Sequence, residues 1–140
     1  MSAEKPQILL VDDDAHILRT VGDFLTASGY DVLRAGSGHE ALRILQAARP
    51  DLVLLDIMMP DMDGGDVAQA IRDRAPTSRV PIIFLTAAVR EDEVKQHGGK
   101  IGGEVYVAKT AAPSELLARI RRTLDEAASA GAARVPARPA

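Results

Sequence analysis

Short apolar runs without polar alternation recur along this chain, each separated from the next by a stretch whose apolar residues return at helical spacing. Ile8-Leu9-Leu10-Val11, Leu52-Val53-Leu54-Leu55 and Ile82-Ile83-Phe84-Leu85 leave no face for water, as expected of strands in a parallel sheet covered on both sides. Asp31 to Ala35 and Val105 to Ala108 are further strand candidates. Between them, Ile17, Leu18, Val21, Phe24 and Leu25 form a helical stripe that stops at Gly29, and Ala41, Leu42, Leu45 and Ala48 form another that stops at Pro50. Val67, Ala70 and Ile71 mark a third helix ending before Pro76, and Pro113 opens a last one with Leu116, Leu117, Ile120 and Leu124 on one face. Val89 to Gln96 allows a short helix, but Gly98, Gly99, Gly102 and Gly103 weaken any helix beyond it.

Strand and helix in alternation predict an α/β fold, and right-handed crossovers leave few ways to wind it. The expected architecture is a flavodoxin-like, doubly wound, five-stranded parallel sheet of strand order 2-1-3-4-5 with helices on both faces. Its ligand crevice lies where strands 1 and 3 diverge. A chain of 140 residues is sized for one such domain, expected over 6–128, with 129–140 as a disordered tail or the start of a linker.

Composition removes several classes of function. No apolar run approaches the length of a membrane span, and the opening Met-Ser-Ala-Glu-Lys-Pro is not a signal peptide, so a cytoplasmic protein is expected. The absence of cysteine excludes disulfides and thiolate metal sites. A net charge of −3 with 3% aromatic residues gives neither the basic footprint nor the stacking platforms of direct nucleic acid binding.

What remains is a site at the strand ends. Asp12 and Asp13 close the first apolar run and Asp56 closes the third, which aims three acids at one rim of the sheet. Carboxylates crowded together repel each other unless a cation joins them, and oxygen-only ligands suit Mg²⁺. Such an ion would screen a phosphoryl group approaching a carboxylate, which makes Asp56 a candidate nucleophile. Thr86 and Lys109 end later strands and offer a hydroxyl and an ammonium to the resulting anion, while Tyr106, three residues before Lys109, points to the other face and could fill a gap left by a shifting threonine.

In order along the chain, Ile8-Leu9-Leu10-Val11-Asp12-Asp13-Asp14, Pro50 to Gly64 with Asp56 at its centre, Ile82-Ile83-Phe84-Leu85-Thr86-Ala87 and Tyr106-Val107-Ala108-Lys109 together resemble the receiver domain of two-component response regulators, of the chemotaxis-regulator type. The resemblance implies that Asp56 is the phosphoacceptor and that Asp13, Asp56 and the Met58 carbonyl bind Mg²⁺ directly, with Asp12 acting mostly through metal-bound water. It implies that Thr86 and Lys109 contact the phosphoryl group and that Tyr106 is an aromatic switch. It also implies a sensor histidine kinase as phosphodonor, a downstream protein or output domain as partner, a possible homodimer, and a module that catalyses only its own phosphorylation and dephosphorylation.

Departures from the family pattern carry expectations too. Receivers usually follow this lysine with a cis proline and an apolar residue, whereas Thr110 and Ala111 stand here. A cis bond to a non-proline residue costs about 3 kcal/mol more than one to proline, so a trans Lys109–Thr110 bond and a shifted loop are expected. Gly98 to Gly103 replaces the usual end of the fourth helix. Met58 and Ala88, at positions tied to phosphate lifetime in the family, cannot hold an attacking water, so slow self-dephosphorylation is expected. Two other functions compete: a degenerate receiver acting without phosphorylation, and a Mg²⁺-dependent phosphohydrolase with an aspartyl-phosphate intermediate. The latter generally needs a second Asp where Met58 stands.

Several residues have plainer readings. Asp14 reads as a solvated helix-start residue, Asp61 and Asp63 as turn formers, and Gly36-Ser37-Gly38 as a turn. His16, His39 and His97 lack ligand spacing, and Arg119, Arg121 and Arg122 read as a solvated helix face.

Overall fold

The computed structural model describes residues 5–74, 77, 79–86, 100–101, 104–109 and 111–134. The strands are β1 Gln7–Val11, β2 Asp31–Ala35, β3 Leu52–Asp56, β4 Ile82–Thr86, β5 Lys100–Ile101 and β6 Glu104–Ala108. The helices are α1 Ala15–Ala27, α2 Gly38–Ile44, α3 Gly64–Asp73 and α4 Pro113–Arg134. The sheet order is β2-β1-β3-β4-β6-β5. Its five parallel strands follow the expected 2-1-3-4-5 order, with β6 as the fifth.

Alternate residues of each central strand feed opposite layers. Leu9, Val11, Val53, Leu55 and Phe84 pack against Ala41 of α2, Leu45 at its C-cap, and Val67 and Ile71 of α3. Ile8, Leu10, Leu52, Leu54 and Ile83 pack against Leu25 of α1 and Leu116 and Ile120 of α4. Two covered faces explain why these strands carry no polar alternation.

The helix starts follow local side-chain chemistry. Asp14 caps α1 by accepting from His16 N at 2.9 Å, and Gly29 (φ 103°) takes the left-handed turn just after that helix. Ser37 accepts from Glu40 N at 3.1 Å while the Glu40 carboxylate accepts from Gly36 N at 2.7 Å, so the Gly36-Ser37-Gly38 stretch is a helix cap and turn. Asp63 caps α3 by accepting from Gly65 N at 2.8 Å. Helix α2 closes at Ile44, earlier than its apolar stripe suggests, and hydrogen-bonded turns carry the chain to Ala48.

Two local features add to the expected elements. The glycine-rich approach contains an edge strand, β5, which pairs antiparallel with β6 through Lys100↔Val105 and Ile101↔Glu104. Gly102-Gly103 separates the two in sequence, a composition that two-residue hairpin loops favour, whereas periodicity cannot register a two-residue strand. The last helix runs to Arg134, into the stretch expected as a tail or the start of a linker, and alanine, the strongest helix former, is frequent there. Ala88, the Val89–Gln96 segment, His97 and the Lys109–Thr110 bond lie outside the described residues. Among the described residues, no helix is long and apolar enough to cross a membrane.

Candidate functional site

Parallel register delivers the strand ends to one rim. Val11 pairs with Leu55, Asp56 with Leu85, and Thr86 with Ala108, so the residues that end or follow β1, β3, β4 and β6 converge. Carboxylate oxygens of Asp12, Asp13 and Asp56 all lie within 4.8 Å of one another. Asp12 is fully buried and Asp56 nearly so, while Asp13 is exposed. Lys109 closes the group: its Nζ is 2.9 Å from Asp12 Oδ2 and 3.4 Å from Asp56 Oδ1.

The hydrogen bonds around the acids are few. Asp12 Oδ1 accepts from Asp14 N at 2.9 Å, and Asp56 Oδ1 accepts from Met58 N at 3.3 Å. Among the described residues, the buried Asp12 Oδ2 is met only by the Lys109 ammonium. Burial, and then the field of Asp12, push the Asp56 carboxyl from its ordinary 3.8 to about 6, against the opposing pull of Lys109 and the Met58 N–H. For Lys109 burial acts downward, but its hydrogen bond to Asp12 and the fields of both acids outweigh it and hold the ammonium above its ordinary value.

Among the described residues, Asp12 and Asp56 share the ammonium of Lys109 while Asp13 adds a third carboxylate beside them, so negative charge is in surplus. All their donor atoms are oxygen, and among the described residues the buried Asp12 Oδ2 is met only by the Lys109 ammonium, a set that suits a hard divalent cation such as Mg²⁺. The described residues fit that ion.

A raised acid pKa has a definite sign in stability. The folded state holds the Asp56 proton more tightly than the unfolded chain, so this contribution is fully present below 3.8 and is lost as pH rises through about 6. A shift of that size corresponds to about 3 kcal/mol, or about 2 kcal/mol once water reaching the site beside Asp13 is allowed for. In chelator, the stability advantage of Asp56→Asn over the parent is expected to grow by about that amount across this window, and Mg²⁺ is expected to erase it. Urea unfolding of both proteins across the pH range measures it; a flat difference would refute the charge-surplus account.

The other expected site residues are placed as follows. Thr86 ends β4 opposite Ala108, and its side chain lies outside the description. Tyr106 is half-buried on the α2/α3 side and stacks on its cross-strand neighbour Phe84, with centroids 5.1 Å apart and planes at 28°. Met58 is 67% exposed and touches the site through its N–H.

Asp61, read as a turn former, and Gly64, given no role of its own, both do more. The Asp61 carboxylate accepts from Gly38 N at 3.3 Å and His39 N at 3.2 Å, and meets His39 Nδ1 at 2.8 Å, which ties the β3–α3 loop to the start of α2. Gly64 is buried against the backbone of the acceptor: a Cβ there would lie 2.5 Å from the Asp56 carbonyl oxygen and 2.6 Å from Ile57 Cα. No local signal marks the first; the second is hinted at by a glycine just after an aspartate cap.

Comparison with known proteins bears on the family of the chain. The family model for the response regulator receiver domain matches residues 8–121. The probable transcriptional regulator ycf27 of Porphyra purpurea is 46% identical over 127 residues, covering 91% of this chain and 51% of that protein. The DNA-binding response regulator MtrA of Mycobacterium tuberculosis is 40% identical over 124 residues, covering 89% and 53%. The chain thus spans about half the length of the curated relatives it matches. Among solved structures, the chemotaxis protein CheY4 of Vibrio cholerae is 32% identical with a TM-score of 0.74, covering 86% of this chain and 99% of that one. A CheY-like receiver domain protein from Methanospirillum hungatei is 29% identical with a TM-score of 0.76, covering 91% and 100%. Fold, strand-end acids and sequence likeness converge on one conclusion: the chain belongs to the response regulator receiver domains.

Proposed function

We propose that this chain accepts a phosphoryl group on Asp56 from the phosphohistidine of a sensor histidine kinase and thereby switches a protein-interaction face. The observation that carries the reading is the carboxylate of Asp56, buried, backed by Asp12 and Asp13 and bridged by Lys109. With its pKa near 6, Asp56 is largely ionised at neutral pH. One of its oxygens attacks phosphorus, the new P–O bond forms as the P–N bond breaks, and the departing imidazole takes up a proton. Mg²⁺, held by Asp12, Asp13, Asp56 and the Met58 carbonyl, would supply charge neutralisation for the transferring group. Lys109 already lies beside Asp56 and can turn its ammonium to the new dianion. We assign to Thr86 the hydroxyl contact with that anion and to Tyr106 a change of packing that follows it.

The output is read as a contact with a downstream protein, an attached output domain or a second copy. The net charge of −3 and the low aromatic content of the whole chain support protein contact over direct nucleic acid contact. MtrA is described as DNA-binding, but this chain matches only about half of it.

Incubation with acetyl phosphate and Mg²⁺, followed by intact mass, tests the reading. The parent is expected to gain one phosphoryl group, and Asp56→Asn or excess chelator to gain none. The group is expected to outlast seconds at neutral pH, because neither Met58 nor Ala88 offers a polar group to hold water. No gain in the parent would favour a receiver that works without phosphorylation, and steady release of phosphate from a generic ester would favour a phosphohydrolase.

A further inference from the structure

Three thioethers sit close together in the segment that follows the acceptor, and the fold treats them differently. Met59 is 8% exposed within the α2/α3 core, and Met62 is half-buried against the same core with its Cβ beside Gly38. Met58 is 67% exposed, and among the described residues it is the large apolar side chain left in solvent. It lines an open depression of about 380 Å³ with Ile57, Met59, Pro60 and Asp63. Its own N–H donates to Asp56 Oδ1, so the exposed sulfur belongs to a residue in direct contact with the acceptor carboxylate.

We propose that Met58 is a peroxide-sensitive site whose oxidation to the sulfoxide shortens the life of a phosphoryl group on Asp56; the lifetime half of this rests on Asp56 being the acceptor. The thioether lone pair attacks one oxygen of hydrogen peroxide, an S–O bond forms and the O–O bond breaks. The proton on the transferred oxygen joins the leaving hydroxide as water. Sulfur is oxidised by two electrons and peroxide reduced by two. The product is a polar side chain with a strong acceptor oxygen in place of a flexible apolar one, and a methionine sulfoxide reductase can reverse it. Native Met58 offers nothing that orients water toward an acyl phosphate, and the sulfoxide oxygen supplies that group.

The first arm needs no phosphorylation. The folded full chain is treated with dilute hydrogen peroxide and mapped by peptide mass: one oxygen is expected on Met58 several-fold faster than on Met59 or Met62, and guanidinium is expected to level the three rates. Equal rates in the folded chain overturn the proposal. The second arm loads treated and untreated protein from acetyl phosphate and follows loss of the phosphoryl group. Oxidised protein is expected to lose it several-fold faster, and the reductase to restore the original rate. Met58→Gln, with a polar amide in place of the sulfoxide, is expected to shorten the lifetime without oxidant, and Met58→Leu to show no oxidant response relative to its own untreated rate. An unchanged lifetime in the oxidised protein overturns the proposal. Untreated protein that takes up no phosphoryl group overturns the Asp56 reading and the lifetime claim together, while the order of oxidation is decided by the first arm alone.

Discussion

Replacing Lys109 with methionine is expected to cost the metal-free protein about 2–4 kcal/mol of stability at neutral pH and to tighten its binding of Mg²⁺. The ammonium is the positive group shared by Asp12 Oδ2 and Asp56 Oδ1, and Asp12 is fully buried. Methionine keeps most of the stem's packing and removes the charge, which leaves the acids in a poorly solvated place facing each other. Removing one partner of a buried pair is more damaging than its net worth suggests, since the remaining charge loses its compensation. The cost falls short of the full penalty because Asp56 can take up a proton: its pKa, already about 6, moves further up when the lysine's lowering influence goes. The same loss makes the acids a stronger attractor for a divalent cation, so Mg²⁺ is expected to recover much of the lost stability. Phosphoryl uptake at neutral pH should fall as less Asp56 is ionised and should recover toward higher pH. Urea unfolding in chelator and in Mg²⁺, with uptake measured across pH, decides the matter; a variant as stable as the parent in chelator would remove Lys109 from the electrostatic account.

Gly64→Ala is expected to destabilise the fold by about 1–3 kcal/mol and to cut phosphoryl uptake sharply even in the folded fraction. The obstacle is space, since the added methyl would press on the Asp56 carbonyl oxygen and on Ile57 Cα. Both are backbone atoms, one at the end of β3 and one just past it, and neither can swing aside as a side chain would. Gly64 N also donates to Ile57 O at 2.7 Å, so the helix start cannot retreat without losing that bond. Relief must come from moving α3, or from moving the end of β3 and with it Asp56. The neighbouring Gly65 is the control: it is exposed, a Cβ there would meet only Asp63 Oδ1 at 3.4 Å, and alanine is the better helix former. Gly65→Ala should therefore stay near parent stability and uptake. Equal behaviour of the two variants would show that the close approach at Gly64 is unimportant.

The parts of this fold that were legible in the sequence are those written in single segments. The runs ending at Val11 and Leu55 declare buried parallel strands by themselves, and an acid set straight after such a run declares a strand end at the ligand-binding rim. Convergence of Asp12, Asp13, Asp56 and Lys109 then follows from topology, because parallel strands bring their carboxyl ends to one side. What stayed hidden depends on distance along the chain or on very short elements. The Asp61 contact with His39 joins residues 22 apart through a loop conformation that composition does not encode. The stacking of Tyr106 on Phe84 needs the register of β4 against β6. The pairing of β5 with β6 involves too few residues to leave a pattern, and the far end of α4 was obscured by the single Gly131 in an alanine-rich stretch.

All five residues of β3 are buried, and the strand is paired along both edges, with β1 and β4. Amide exchange from such a central strand is expected to require opening on the scale of the whole domain, and Asp56, its last residue, is held to β4 there. Lys109 instead follows β6, whose far side is met by a strand of two residues. The two halves of the ion pair therefore belong to regions with different opening free energies, and thermal fluctuation should separate them by moving the cation while the acid stays in place.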